Sequence, residues 1–223
     1  MKPFLLALSL VAFSGGLRAQ SVQAVLARMD QAAPKFHDMT ANVQMVTYTA
    51  IIGDKMTENG TLKMQRLKPN DVRAIIDFSQ QPDSRVIAFL GKIVRIYYPN
   101  LKSYQDYEVG KNSDVLNQFL LLGFGSSGRE LAQSYDITME GQEKVAGQDT
   151  TKLLLIPKDP KVKDHLTKIE MWVPNDKAYP VRQQFYEPSG NYREVTYTDV
   201  QINPHLPQRT LELNLPKGVK RQS

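Results

Sequence analysis

Few residues in this chain are of types and spacings that could do chemistry. His37, His165 and His205 stand far apart, with no H-x-x-x-H or H-E-x-x-H spacing, whereas metal ligation needs convergent ligands. There is no cysteine, which excludes disulfides, thiolate metal sites, a cysteine nucleophile and a lipid carried on an N-terminal cysteine. No G-x-S-x-G marks a nucleophile elbow, although a Ser-His-Asp triad can assemble from distant positions. Asp106, Glu108 and Asp114 gather loosely and read as a solvated face rather than an acid–base pair. Gly123-Phe-Gly125-Ser-Ser-Gly128 spells G-x-G-x-x-G, but a dinucleotide fingerprint needs a strand before it, a helix after it and a βαβ unit around it. Here the upstream segment reads as helix, so Gly123, Gly125 and Gly128 are expected to form a hinge between two short helices. The expectation is a protein that is not an enzyme and holds no cofactor or metal.

The segment leading into those glycines is more informative. Val115–Phe124 reads VLNQFLLLGF: Leu116, Phe119, Leu120 and Gly123 fall on one side of a helix, with Val115, Leu121, Leu122 and Phe124 around the others. A short helix that is apolar over most of its circumference has to be covered on more than one side. It is either deep core or the cap of an apolar space that something else fills. Three glycines at its end favour a movable lid carrying Leu116, Phe119, Leu120 and Phe124. Ser113 is placed to cap it, with Asp114 favourable in its first turn.

The elements that must position such a lid are mostly strands. Ser21–Ala33 carries Val22, Val25, Leu26 and Met29 at helical spacing, with Ser21 as N-cap and Pro34 closing it. From there the period becomes two, in Ala41-Val43-Met45 and Leu62-Met64 and then in β-branched and aromatic runs at Val72–Phe78, Arg85–Leu90 and Ile93–Tyr98. After the lid, strand runs resume at Tyr135–Glu140, Thr150–Ile156, Lys168–Val173, Ala178–Tyr186, Tyr192–Ile202 and Arg209–Leu215. Prolines between the runs mark strand ends, and Asn59-Gly60 reads as a hairpin turn. The predicted class is mainly β with α, one antiparallel sheet of about 10–11 strands. A sheet that large curls, around an N-terminal helix and the helical lid.

At the N-terminus, Lys2, the apolar run Phe4–Phe13, the break at Ser14-Gly15-Gly16 and the small Ala19 have the layout of a secretory signal peptide over residues 1–19. The run is too short to span a bilayer, and residues 20–223 remain as one domain. Without Lys2 and Arg18 the formal charge falls from +5 to +3, with basic residues scattered among acidic ones. Nucleic acid is therefore not an expected partner.

Several short stretches, in order, resemble a known family. Met39-Thr-Ala-Asn-Val43, Gly60–Pro69, Ala88–Leu101, Val115–Gly123, Leu153–Lys158 and Leu215–Val219 are together similar to the periplasmic lipoprotein-carrier proteins of the LolA type. The likeness runs over nearly all of the mature sequence. It implies an incomplete, half-open β-barrel with a helical lid over an apolar cavity. It also implies a monomeric periplasmic carrier, not lipid-anchored, that binds acyl chains of lipoproteins or lipids and shuttles them from inner to outer membrane. An inner-membrane release complex and an outer-membrane acceptor would be its partners. A lipid-sensing regulatory protein of the same fold is the alternative, and a periplasmic hydrolase a more distant one. In such a barrel, alternation makes Val43, Met45, Leu62, Met64, Ile76, Phe78, Ile96, Tyr98, Leu153, Leu155 and Met171 the expected cavity lining. The family's arginine before proline, which bonds the lid shut, is Lys68 here. Its aspartate before glycine is Leu90, and its tryptophan in the next strand is Arg95 or a neighbour. Lysine lacks the planar donor fork, so the closing role is not assigned to Lys68.

Overall fold

Ser21 opens the first helix, α1 (Val22–Ala32), by accepting a hydrogen bond from the Ala24 amide on its side chain, which satisfies one of the orphan donors of the first turn. The helix buries Val25 and Met29 and ends in a 3-10 turn at Ala33–Lys35, where Pro34 cannot continue it. The structure, a computed structural model, describes residues 21–68, 71–78, 83–108 and 122–222.

Among the described residues one sheet has twelve strands. They are β1 (Asp38–Thr49), β2 (Asp54–Lys68), β3 (Asp71–Asp77), β4 (Val86–Leu90), β5 (Ile93–Tyr98), β6 (Ser103–Glu108), β7 (Tyr135–Val145), β8 (Gln148–Pro157), β9 (Lys168–Pro174), β10 (Arg182–Tyr186), β11 (Tyr192–Ile202) and β12 (Lys220–Arg221). Their order is β12-β6-β5-β4-β3-β2-β1-β11-β10-β9-β8-β7, so β12 and β7 are the margins and the sheet is not closed into a barrel. Two antiparallel meanders, β1–β6 and β7–β11, are sewn together along β1 and β11. Between the meanders lies α2 (Gly128–Ser134), whose Ser127 and Glu130 form a reciprocal capping box. A single helical turn, α3 (Pro160–Lys163), joins β8 to β9. After β11 the chain is tied down beside β1. The Asp38 carboxylate accepts from the His205 and Leu206 amides at 3.1 and 3.2 Å. The last residues then pair parallel to β6.

Alternation located most of these strands, and the exceptions have physical reasons. β6 (SYQDYE) has little apolar signal, and β12 is two residues long. Arg209–Leu215 is not a strand but a 3-10 turn, Gln208–Leu211, followed by irregular chain. Asn59-Gly60 is not a turn: it lies inside β2, opposite Gln44 and Val43, and the hairpin turns at Ala50–Gly53 instead. Gly60 is needed there because a Cβ would crowd the Asp77 carbonyl and stand 2.7 Å from the Phe78 ring. The signal-peptide reading and the lid residues Leu116, Phe119 and Leu120 fall outside the described residues.

At the β5–β6 pair, Arg95 and Asp106 stand directly opposite each other and form a two-toothed ion pair, Nε–Oδ1 2.6 Å and Nη2–Oδ2 2.8 Å. The hydrogen bonds from Arg95 hold the Asp106 carboxyl below the usual carboxylate range. A group depressed in this way stabilises the fold fully above its unfolded value, about 3.9. That contribution disappears as the pH falls through the lower folded value. Asp106→Asn is therefore expected to flatten the acid limb of a melting-temperature profile between about pH 5 and pH 2. An acid limb identical to wild type would show that the pair adds nothing.

Candidate functional site

Strand register decides which side chains share a face, because directly opposed residues and residues two apart point the same way. Val43 is opposite Gly60, and Leu62, two residues on, is opposite Ile76, which faces Ile87 and then Ile96. In the other direction Met45 is opposite Val195, then Gln183, Met171 and Leu153. Met64, Phe78, Tyr98 and Leu155 each lie two residues from a member of these rows. All eleven candidate lining residues thus stand on one face of the sheet.

On that face the structure gathers two apolar clusters. The first holds Val43, Leu62, Met64 and Phe78 with Phe36 and Tyr197, and Met45 and Ile76 pack against it. The second holds Leu153, Leu155 and Met171 under Val25 and Met29 of α1 and Leu131 of α2. Ile96 and Tyr98 are half-buried on the same face and belong to neither cluster.

The described end of the candidate lid, which includes its Phe124, touches both. Leu122 is buried in the second cluster and Phe124 in the first, each 2% exposed. Phe124 meets Tyr197 edge-on at 4.8 Å and stacks on Tyr179 at 5.9 Å between ring centroids. Between Leu122 and Phe124, Gly123 adopts φ +79°, and a Cβ there would lie 2.7 Å from Pro180. Gly125, at φ +92°, leaves room for the Phe36 ring, which a Cβ would approach to 2.5 Å. Gly128 lies directly on the backbone of α1 at Leu26. In this conformation, therefore, each of the three glycines answers a close contact.

Two polar devices hold the segment. Gln183 Nε2 donates to the Leu122 carbonyl at 3.0 Å, and the Tyr197 hydroxyl donates to Gln183 Oε1 at 2.8 Å. Burial pushes the Tyr197 hydroxyl far above its ordinary pKa, which keeps it a donor. Arg66 supplies the other. Its Nη1 donates to the Ala33 carbonyl at 3.1 Å, its Nη2 to the Gly125 carbonyl, and its guanidinium lies over the Phe36 ring at 5.4 Å. Burial lowers the guanidinium's pKa, partly offset by the charge of Glu130. Sequence reasoning missed Arg66 by weighing Lys68, which is exposed at the end of β2 beyond an irregularity in its pairing with β3. The available signal was phase: Leu62, Met64 and Arg66 alternate on one side of one strand, so a basic residue sits where an apolar one is due.

Among the described residues no group of three or more His, Cys, Asp or Glu side chains converges to hold a metal ion. No described helix is long and apolar enough to cross a membrane.

A family model described as "-like: Uncharacterized protein" matches residues 70–205, from β3 into the chain after β11. No curated protein matches the chain. Among solved structures, an uncharacterized conserved protein from Thermus thermophilus is 14% identical and aligns over 90% of this chain and 97% of its own, with a TM-score of 0.53. That value shows a shared fold. A putative outer membrane lipoprotein-sorting protein domain from Vibrio parahaemolyticus is 15% identical over 86% of this chain and 95% of its own, TM-score 0.46. A LolA superfamily protein from Nitrosomonas europaea is 15% identical over 87% and 99%, TM-score 0.40. LolA-superfamily and lipoprotein-sorting proteins are thus among the structural neighbours.

Proposed function

We propose, for a chain that belongs to the uncharacterized family matched over residues 70–205, that the inner face of the open sheet receives acyl chains. On this reading the protein carries lipidated protein or lipid as cargo, and no catalysis is involved. One observation carries the reading: a single short segment, Leu122-Gly-Phe124, gives one buried side chain to each of the two apolar clusters that together run across the face. Displacing that segment would loosen both at once.

The energetics suit such cargo. Each methylene removed from water is worth about 0.8 kcal/mol, so a chain of roughly sixteen carbons brings on the order of 10 kcal/mol. That is enough to outweigh the loss of the contacts made by Leu122 and Phe124. Met29, Met39, Met64 and Met171 are all buried at this face, and their flexible thioethers can repack around chains of differing shape. Transfer between an inner-membrane donor and an outer-membrane acceptor, in the periplasm after removal of residues 1–19, is the setting this reading adopts. Gly123, Gly125 and Gly128 would then be the points about which the cover moves.

The test is titration of the purified chain with a fluorescent fatty acid, followed by native mass spectrometry of protein isolated from its own cells. Saturable binding that unlabelled fatty acid displaces, and co-purifying acylated mass, are expected. Absence of both would sink the reading.

A further inference from the structure

We propose that the hairpin joining β1 to β2 is a membrane-contacting tip. Ile51 and Ile52 insert among the acyl chains of a phospholipid bilayer, while Tyr48, Tyr192 and Lys55 lie at headgroup level. The proposal does not rest on the carrier reading, since it needs no cargo.

The turn is Ala50–Gly53, closed by the Gly53 amide on the Ala50 carbonyl at 3.3 Å, with Gly53 at φ +65°. Its two central positions are where glycine, proline, asparagine, aspartate or serine ordinarily serve the turn. Two isoleucines there do nothing for it. Neither do they pack: Ile51 is 90% exposed and Ile52 71%, and Met56 on the returning strand is 44% exposed. Contiguous exposed apolar side chains of this kind mark contact sites.

The arm is also raised. Pairing of β2 with β3 stops at Thr61 opposite Asp77, and Gly60 and the buried Glu58, paired with Arg85, still lie against that side, but Ile51–Thr57 are all exposed. The arm is nevertheless held, because the Ala50 amide donates to Asn191 Oδ1 at 2.9 Å in the adjoining β10–β11 turn. Below the isoleucines, the Tyr48 and Tyr192 rings stack at 4.9 Å, and Tyr186 follows at 5.8 Å from Tyr192. The Lys55 ammonium lies 5.9 and 6.0 Å from the Tyr48 and Tyr192 centroids. An aliphatic tip above a collar of tyrosine and lysine reproduces the layering of a membrane surface, where tyrosine rings and snorkelling lysines occupy the interface. A protein partner is less well served, because a stable complex buries about 800 Å² on each side, far more than two isoleucines on a projecting turn can provide.

The experiment uses the full chain and protein-free vesicles of phosphatidylethanolamine and phosphatidylglycerol. Wild type should float with the vesicles, and the double variant Ile51→Ser, Ile52→Ser should bind at least about tenfold less with an unchanged melting temperature. Because the sequence has no cysteine, Ile51→Cys can carry a single polarity-sensitive dye. Its emission should shift to the blue on vesicles, whereas the same dye on Asp149→Cys should not respond. Asp149 lies at the start of β8, at the opposite end of the sheet. Failure to float, equal flotation of the double variant, or no shift at position 51 would overturn the proposal. So would loss of binding in about 1 M salt, where charge attraction is screened within about 3 Å. Recruitment only to vesicles containing membrane proteins would assign the tip to a protein partner instead, and would likewise overturn it.

Discussion

Phe124→Ala should lower the stability of the chain by about 3–5 kcal/mol, the usual cost of truncating a buried phenylalanine, while raising affinity for a fluorescent fatty acid at least about tenfold. The two effects have one origin. Phe124 is buried in the first cluster, with its ring against Tyr197 and Tyr179, so removing it forfeits packing and leaves apolar volume in that cluster. If that volume is where acyl chains go, wild type has to give up the Phe124 contacts to bind, and the variant does not. Thermal melts and a titration on the same preparation check both. Lost stability without tighter binding would make Phe124 ordinary core and remove the cover from the mechanism.

Arg66→Met should have the second-largest effect. The substitution keeps an unbranched apolar stem over Phe36 but removes the donors to the Ala33 and Gly125 carbonyls. Hydrogen bonds from a charged group are each worth about 1.5–3 kcal/mol, and carbonyls left without them in a half-buried place add to the cost. Hydrogen exchange is the sensitive readout. Amides from Gly123 to Ser127, including that of Gly123 on Ser126 Oγ at 3.0 Å, should exchange at least about tenfold faster, one decade for each 1.4 kcal/mol lost. Strand β1 should hold its protection. Arg66→Lys should fall near Met rather than near wild type, because one ammonium lacks the fork that spans two carbonyls. Unchanged exchange in Gly123–Ser127 would show that Gln183 and Tyr197 hold the segment without help.

How much of this could be read from residues alone follows from what each signal depends on. Ser21 as a cap and Val25 and Met29 as a buried stripe are local facts, and they stand as expected. Alternation placed the face of Val43, Leu62, Ile76 and Met171 because the period of two survives wherever one side of a strand is covered. Polar strands escape that logic: β6 is SYQDYE and is held by partners on both sides rather than by an apolar stripe. Asn59-Gly60 misled because a glycine can mark either a turn or a close approach, and only the tertiary neighbour, Phe78, tells which. Arg66 was hidden for a similar reason. Its partners, Ala33 and Gly125, lie 33 and 59 residues away, and no local pattern announces a hydrogen bond to a distant carbonyl.

The seam between the two meanders has a consequence in time. Strand β1 is interior in the finished sheet, yet Tyr48 waits for Tyr192 and Met39 for Ile202. Chains are made from the N-terminus at about 5–20 residues per second, so β1 stays a bare edge for roughly 8–30 s after its own synthesis. A bare edge is a template for pairing with another chain. A product cut short before β11 would keep that edge for good, whereas one lacking only Lys220–Arg221 would merely lose the clip on β6.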